Sequence, residues 1–394
     1  MVFIPLGIPD DIDKYFYNRK KELIQLNSFI DHLNHDVSSQ ILITGHRGVG
    51  KSFLLKKLIN SLPNNILAAY IDISKIYSIQ KGNLTEEDIL NRLLEEINKP
   101  LEKEKLFKKT HNTVKNLILK LKNKKYDFKE AGTILSIPIP QVKDNYQKLS
   151  EFVMNYPQKI VDSSHGKING FVIVIDEFQF IGELKSPESF LWLFRSFSQY
   201  QDNVTYIFTG STSTTSDMVD KLNGLEGAFG NRMMQFNLNP FTEEECKNYI
   251  KEKIPELKFD ENGFQRFYKC TRGYPAYINS FCNIMSDNVT YDENRVVEEF
   301  YNKMDQIAVK WITIWSSLSK QEKDIVMILA DNEQLKWNEI VEITSFSIGT
   351  LSKHLKKLKN KGIVSNINSY YKIDDYMLLA WLKHRKTEDY YYPP

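Results

Sequence analysis

Three things are scarce in this chain. Cysteine occurs only at Cys246, Cys270 and Cys282, with no C-x-x-C pair. That argues against a disulfide framework or a zinc site and fits reduced, buried thiols in a cytoplasmic protein. No apolar run reaches the roughly 18 residues a membrane helix needs, and the N-terminal MVFIPLGIPDD turns acidic after a few residues, so neither a membrane span nor an export signal is expected. Net charge is small, +2 from 52 Lys and Arg against 50 Asp and Glu. A polyanionic partner must therefore be met by a local basic surface. What is plentiful is apolar mass: 42% of 394 residues fills more than one core and implies two or three domains.

The segment QILITGHRGVGKSFLLKKLI reads as a short strand from Gln40 to Thr44, a glycine-rich turn, and a helix with Phe53, Leu54, Leu55 and Leu58 on its apolar face. Gly45-His46-Arg47-Gly48-Val49-Gly50-Lys51-Ser52 fits the P-loop spacing in the strand, loop, helix context that gives the motif meaning. Glycines let the backbone N–H groups curl round phosphates at a helix N-terminus. Lys51 is expected to reach the β and γ oxygens of ATP, and Ser52 to hold Mg²⁺. Far downstream, Phe171 to Ile175 is apolar throughout, as in a strand buried on both faces, and delivers Asp176 and Glu177 at its carboxyl end. Behind a P-loop, Asp176 is expected to bind Mg²⁺, and Glu177 to orient and deprotonate the attacking water.

Two further positions carry open alternatives. The strand Val204 to Phe208 ends in Thr209-Gly210-Ser211-Thr212, where Thr209 either contacts the γ-phosphate or its water, or belongs to a Ser/Thr turn capping a helix. Arg232 precedes a strand from Met233 to Leu238. It is either an arginine that offsets phosphoryl charge in its own subunit or a neighbour's, which would imply a homo-oligomer, or a surface residue.

With these motifs in order, the chain resembles the archaeal ATPase family in the STAND branch of AAA-related P-loop proteins. The resemblance rests on Phe16-x-Asn18-Arg19-x-x-Glu22, the Gly45 to Ser52 loop, Ile173 to Gln179, Thr209-Gly210-Ser211, Gly230-x-Arg232 and Gly273-Tyr274-Pro275, across about the first 300 residues apart from one insertion. It implies that Asn18 and Arg19 lie near the base or ribose, and that Gly273 to Pro275 sets a lid against the adenine. Without it, Pro275 reads as a helix-initiating proline. His46 before Arg47, and Ser for Thr at 52, depart from a frequent family form; Ser52 keeps the metal-binding hydroxyl.

The expected fold class is therefore α/β: a P-loop AAA-like parallel-sheet ATPase domain over residues 1–240, with a Lys-rich insertion around 100–165, then a wholly helical lid over 241–310 and a winged helix over 311–394. Between Lys103 and Lys125 stand nine lysines and one glutamate, either a solvated helical hairpin or a basic surface for DNA or a protein. In the last domain Ile348, Leu351, Leu355 and Leu358 are spaced to bury one side of a third helix, leaving Lys353, Lys356 and Lys357 outward. Five lysines and no acid in residues 350 to 361 suit a helix facing duplex DNA; protein docking and a purely structural role stay open. The favoured reading is an ATP-driven switch, with slow hydrolysis coupled to DNA binding or assembly. The alternative is a nucleotide-binding scaffold whose winged helix docks a protein.

Overall fold

The computed structural model describes residues 4–103, 129–134, 137–141, 146–210, 212–389 and 392. The lysine-rich stretch beyond Lys103, and Ser211, lie outside the described residues. Within the insertion, Lys129–Ile134 and Ile137–Gln141 pair antiparallel.

Five apolar runs form one sheet in the order Ile66–Asp72, Gly170–Asp176, Val204–Thr209, Ile41–Thr44, Met234–Asn237, and every pairing is parallel. Side chains alternate between two apolar layers, as the two-residue repeat of a strand requires. Ile173, Ile175 and Phe208 face one layer, while Val172, Val174, Ile41, Ile43 and Ile207 meet Leu54, Leu55 and Leu58 of the P-loop helix Lys51–Asn60 on the other. This two-sided burial is why these strands read as unbroken apolar runs. The registers Ile175↔Phe208 and Ile43↔Thr209 bring the carboxyl ends of three neighbouring strands level, so Thr44, Asp176 and Thr209 finish at one edge.

A cluster of lid helices follows. Thr242 opens the helix Glu243–Lys253 with a full capping box, its hydroxyl bonded to the Glu245 N–H and the Glu245 carboxylate returning to the Thr242 N–H, which satisfies two otherwise orphaned donors. Helices Glu261–Thr271, Pro275–Cys282 and Glu293–Asn302 complete it. The expectation of an all-helical segment is corrected by a two-residue parallel pair, Lys258–Phe259 with Thr290–Tyr291, which ties the starts of two lid helices together.

Helices Lys320–Asn332, Trp337–Thr344 and Ile348–Asn360, with an antiparallel sheet of Gln334–Lys336, Tyr370–Ile373 and Val364–Ile367, form the winged helix. Asn368 and Ser369 both take positive φ, 52° and 69°, as a tight two-residue hairpin turn requires. Ile348, expected in the core, is 68% exposed, whereas Leu351, Leu355 and Leu358 are buried. Ile348 opens the helix, ahead of the turn where its inward face meets neighbours. Lid and winged helix share one buried apolar cluster running from Phe241 to Leu382, so the last domain is packed into the rest of the molecule rather than tethered. No helix among the described residues is long and apolar enough to cross a membrane.

Candidate nucleotide site

The turn after Thr44 is built on glycines in conformations that disfavour side chains: Gly48 and Gly50 have φ of 88° and 97°, open to residues without a Cβ. They lead into the helix beginning at Lys51, whose free N–H groups and dipole point at a cavity of about 250 Å³. Arg47, Gly48, Val49, Gly50, Lys51, Ser52 and Phe53 line it together with Glu177, Arg19 and Pro275. Gly45 and His46 lie just behind: the Lys51 ammonium donates to their carbonyls at 2.7 and 3.1 Å. Burial lowers the Lys51 pKa, opposed by the charges of Glu177 and Asp176 and reinforced by Arg47.

Asp176 is buried at the end of its strand, next to the cavity-lining Glu177. Its Oδ2 accepts from the Ser52 hydroxyl at 2.7 Å and from the Tyr70 phenol at 2.5 Å. Burial, and then the neighbouring Glu177 charge, push its pKa up to about 6 against the pull of those two donors. Tyr70 escaped sequence reading; it sits mid-strand with its ring under the Lys56 ammonium, 3.8 Å away, and only the parallel pairing of its strand with the acidic one brings it to Asp176. Thr209, which pairs with Ile43 at the end of its strand, is fully buried, and its hydroxyl has no hydrogen-bond partner among the described residues. Glu177 has φ 53° and ψ 41°, a left-handed conformation that costs a non-glycine residue of order 1 kcal/mol. It turns the carboxylate from the strand towards the cavity.

Other expected residues fall differently. Arg19 is 8% exposed and lines the cavity, but its guanidinium is spent on the carbonyls of Asn239 (2.5 Å) and Val49 (3.4 Å), with the Phe241 ring at 5.2 Å. It ties the glycine-rich loop to the far edge of the sheet. Asn18 is not among the lining residues; its side chain bonds the Glu245 carboxylate of the lid, because its own left-handed φ of 55° turns it away from the cavity. Arg232 is exposed and precedes Met234, which pairs with Ile41 at the start of the P-loop strand. It therefore lies at the opposite end of that strand from the phosphate loop, roughly 13 Å along it. Apolar residues of the N-terminal segment, Ile4 to Ile8, also line the cavity. Ile4 holds Asn283 by a reciprocal pair of 2.7 Å bonds, a long-range contact with no sequence signal.

The winged helix reaches this site directly. Its Asp374, just past the last strand, lies 3.2 Å from His46 Nδ1, and the His46 ring also meets Tyr274 of the lid, centroids 6.1 Å apart. The adjacent Asp375 accepts from the Tyr277 phenol, which in turn accepts from the Trp311 indole at 2.7 Å. Lys353, Lys356 and Lys357 are exposed. Lys359 pairs with Asp217 of the ATPase body at 3.3 Å and Lys361 with Glu322 at 3.2 Å.

Residues 16–281 match the model of an ATPase domain predominantly from Archaea, and residues 319–366 that of bacterial regulatory proteins of the arsR family. No curated protein matches the chain. Among solved structures, a Walker-type ATPase of Pyrococcus abyssi is similar with a TM-score of 0.63 at 18% identity, over 93% of this chain and 96% of that one. The ORC2 protein of Aeropyrum pernix in its ADPNP–ADP complexes gives 0.51 at 12% identity over 98% and 100% of the two chains. The ORC1 protein of the same organism in complex with DNA gives 0.50 at 12% over 98% and 96%. At such identities these likenesses show the fold: a P-loop ATPase body, a helical lid and a winged helix in one chain. With the family model matching well over half of its length, the chain belongs to the family of ATPase domains found predominantly in Archaea.

Proposed function

We propose that this chain is an ATP-driven switch whose C-terminal winged helix meets duplex DNA. The observation that carries the reading is the contact between His46 and Asp374. One loop offers its backbone to the phosphates and its side chain to the winged helix, so a change in loop geometry on nucleotide binding is felt by both. Family membership supports ATP as the ligand, and the DNA-bound ORC1 protein of similar fold supports a duplex as the partner.

In this reading Lys51 leaves the Gly45 and His46 carbonyls for the β and γ oxygens of ATP, joined by Arg47 and the helix N-terminus. Hard oxygen donors on Ser52 and Asp176, 2.7 Å apart, fit Mg²⁺, which takes one or two protein oxygens alongside water and phosphate. Bound there, the ion would neutralise charge on the phosphates. Glu177 accepts the proton of the attacking water, and Thr209 offers its unpartnered hydroxyl to that water or the γ-phosphate. Lys353, Lys356 and Lys357 meet DNA phosphates. Arg232, at the far end of its strand from the P-loop, is better placed for a neighbouring subunit's nucleotide than for its own. K51A is expected to lose most ATP binding by calorimetry, and E177Q to keep ATP binding while phosphate release falls by about 10². Equal ATP affinity in folded K51A overturns the reading.

A second reading has its own support: Ile343, Ile348 and Ile367, all in the winged helix, are 51%, 68% and 52% exposed. Apolar residues there suit docking to a protein. Duplex titration separates the two, since DNA binding must weaken with salt.

A further inference from the structure

The acidic strand is followed by a 3-10 turn, Phe178–Glu183, and the second residue of that turn is placed unlike an ordinary surface glutamine. Gln179 is 3% exposed, and its Nε2 donates to Oε2 of Glu177. Its Oε1 is buried without a hydrogen-bond partner among the described residues and packs against Gly210, 2.5 Å from where a Cβ there would stand. A buried amide that makes one bond and leaves the other end unsatisfied is costly. Such a group calls for an explanation, and a role in the site is one.

The bond goes to a carboxylate that needs restraint. Glu177 stands on a left-handed backbone at the end of a strand, and its side chain, only partly buried, faces an open cavity. On three rotatable bonds it has many poses, and few of them aim an oxygen at a water in line with the γ-phosphate. Gln179 is itself buried between Glu177 and Gly210, the residue after the strand end at Thr209. Gly210 does not have a positive φ, so its lack of a side chain serves the space that Gln179 and the Phe178 ring occupy. The chain thus sets a buried donor behind a flexible acceptor.

We propose that Gln179 is a positioning residue for hydrolysis: its amide N–H fixes the Glu177 carboxylate in the pose from which it takes the proton of the attacking water, and Gly210 is kept bare to hold that amide in place. The proposal rests on the reading of Glu177 as the base. As the water's oxygen bonds phosphorus and the bond to ADP breaks, its proton passes to the Glu177 oxygen not engaged by Gln179.

The test is a double-mutant cycle on the full chain. Q179M keeps the volume and removes the donor; G210A, at a backbone angle open to alanine, displaces it. Each is expected to lower kcat by about 10-fold or more with ATP affinity close to wild type, Q179M also melting close to wild type, and neither is expected to slow E177Q further, because the carboxylate they act through is gone. Loss of the same factor in the E177Q background, a loss confined to ATP affinity, or a rise in kcat overturns the proposal. If E177Q itself turns over like wild type, the assignment of the base fails and this inference with it. If E177Q is slow and Q179M is not, only the inference fails.

Discussion

The phosphate end of the sheet and the third helix of the winged helix both carry concentrated charge, and they treat it in opposite ways. At the first, Lys51, Asp176 and Arg19 are 6%, 2% and 8% exposed, and each is satisfied by a carbonyl, hydroxyl or carboxylate. At the second, Lys353, Lys356 and Lys357 stand in solvent on a helix otherwise pinned by Leu351, Leu355 and Leu358. Burying charge is expensive unless every bond is made, so the first arrangement is unforgiving of change and specific to one ligand geometry. Exposed lysines cost nothing to keep; they give affinity for a polyanion without dictating its identity.

That contrast orders the consequences of mutation. The largest expected effect at the exposed end is on DNA: K353E/K356E/K357E should weaken duplex binding by about 10² or more and flatten its salt dependence, with ATP affinity kept. Each lysine on a phosphate contributes roughly 0.9 to the logarithmic salt slope. Labelled-duplex titrations at several salt concentrations measure it, and an unchanged slope would move any DNA contact elsewhere.

At the buried end, D176N should stabilise the nucleotide-free protein in a pH-dependent way. The Asp176 pKa is raised to about 6, by burial first, so the folded state favours the protonated form. The stability this gives is fully present below the unfolded value near 4 and is lost as pH rises through 6. Ionisation there costs up to about 3 kcal/mol, the equivalent of a shift of roughly two units. The neutral amide escapes that cost, so D176N should gain in melting temperature at pH 8 and gain little at pH 4. Equal gains at both would mean that the carboxylate is not strained by burial.

The smallest effect lies where the basic helix touches the ATPase body. D217A releases Lys359, an ion pair with an exposed acid partner, worth under about 1 kcal/mol. It should leave melting almost unchanged and raise duplex affinity by no more than a few-fold, visible in the same titrations.

The buried end was also the more legible in sequence. Gly45 to Ser52 and Phe171 to Glu177 are contiguous segments whose chemistry fixes their spacing, and the structure brings them together, with Ser52 on Asp176. Remote contacts in which a partner belongs to no motif were not readable. Tyr70 meets Asp176 across 106 positions and Ile4 meets Asn283 across 279. Asn18 turns to Glu245 instead of the cavity because a single left-handed backbone angle redirects it. Helical periodicity placed Leu351, Leu355 and Leu358 correctly but not Ile348, since spacing says which residues share a face and not how far along the helix that face stays covered. His46 stood out only as a departure from the usual loop, and its partner is 328 residues away.

That partner makes the central claim testable. Duplex affinity should be measured at fixed salt, with and without saturating ATP, in wild type and in H46A, with ATP binding followed in parallel. The account predicts a several-fold change in duplex affinity on adding ATP to wild type, and a much smaller change in H46A, which still binds ATP. Identical responses to ATP in the two proteins would contradict it, and show that the contact between the P-loop and the winged helix does not carry the switch.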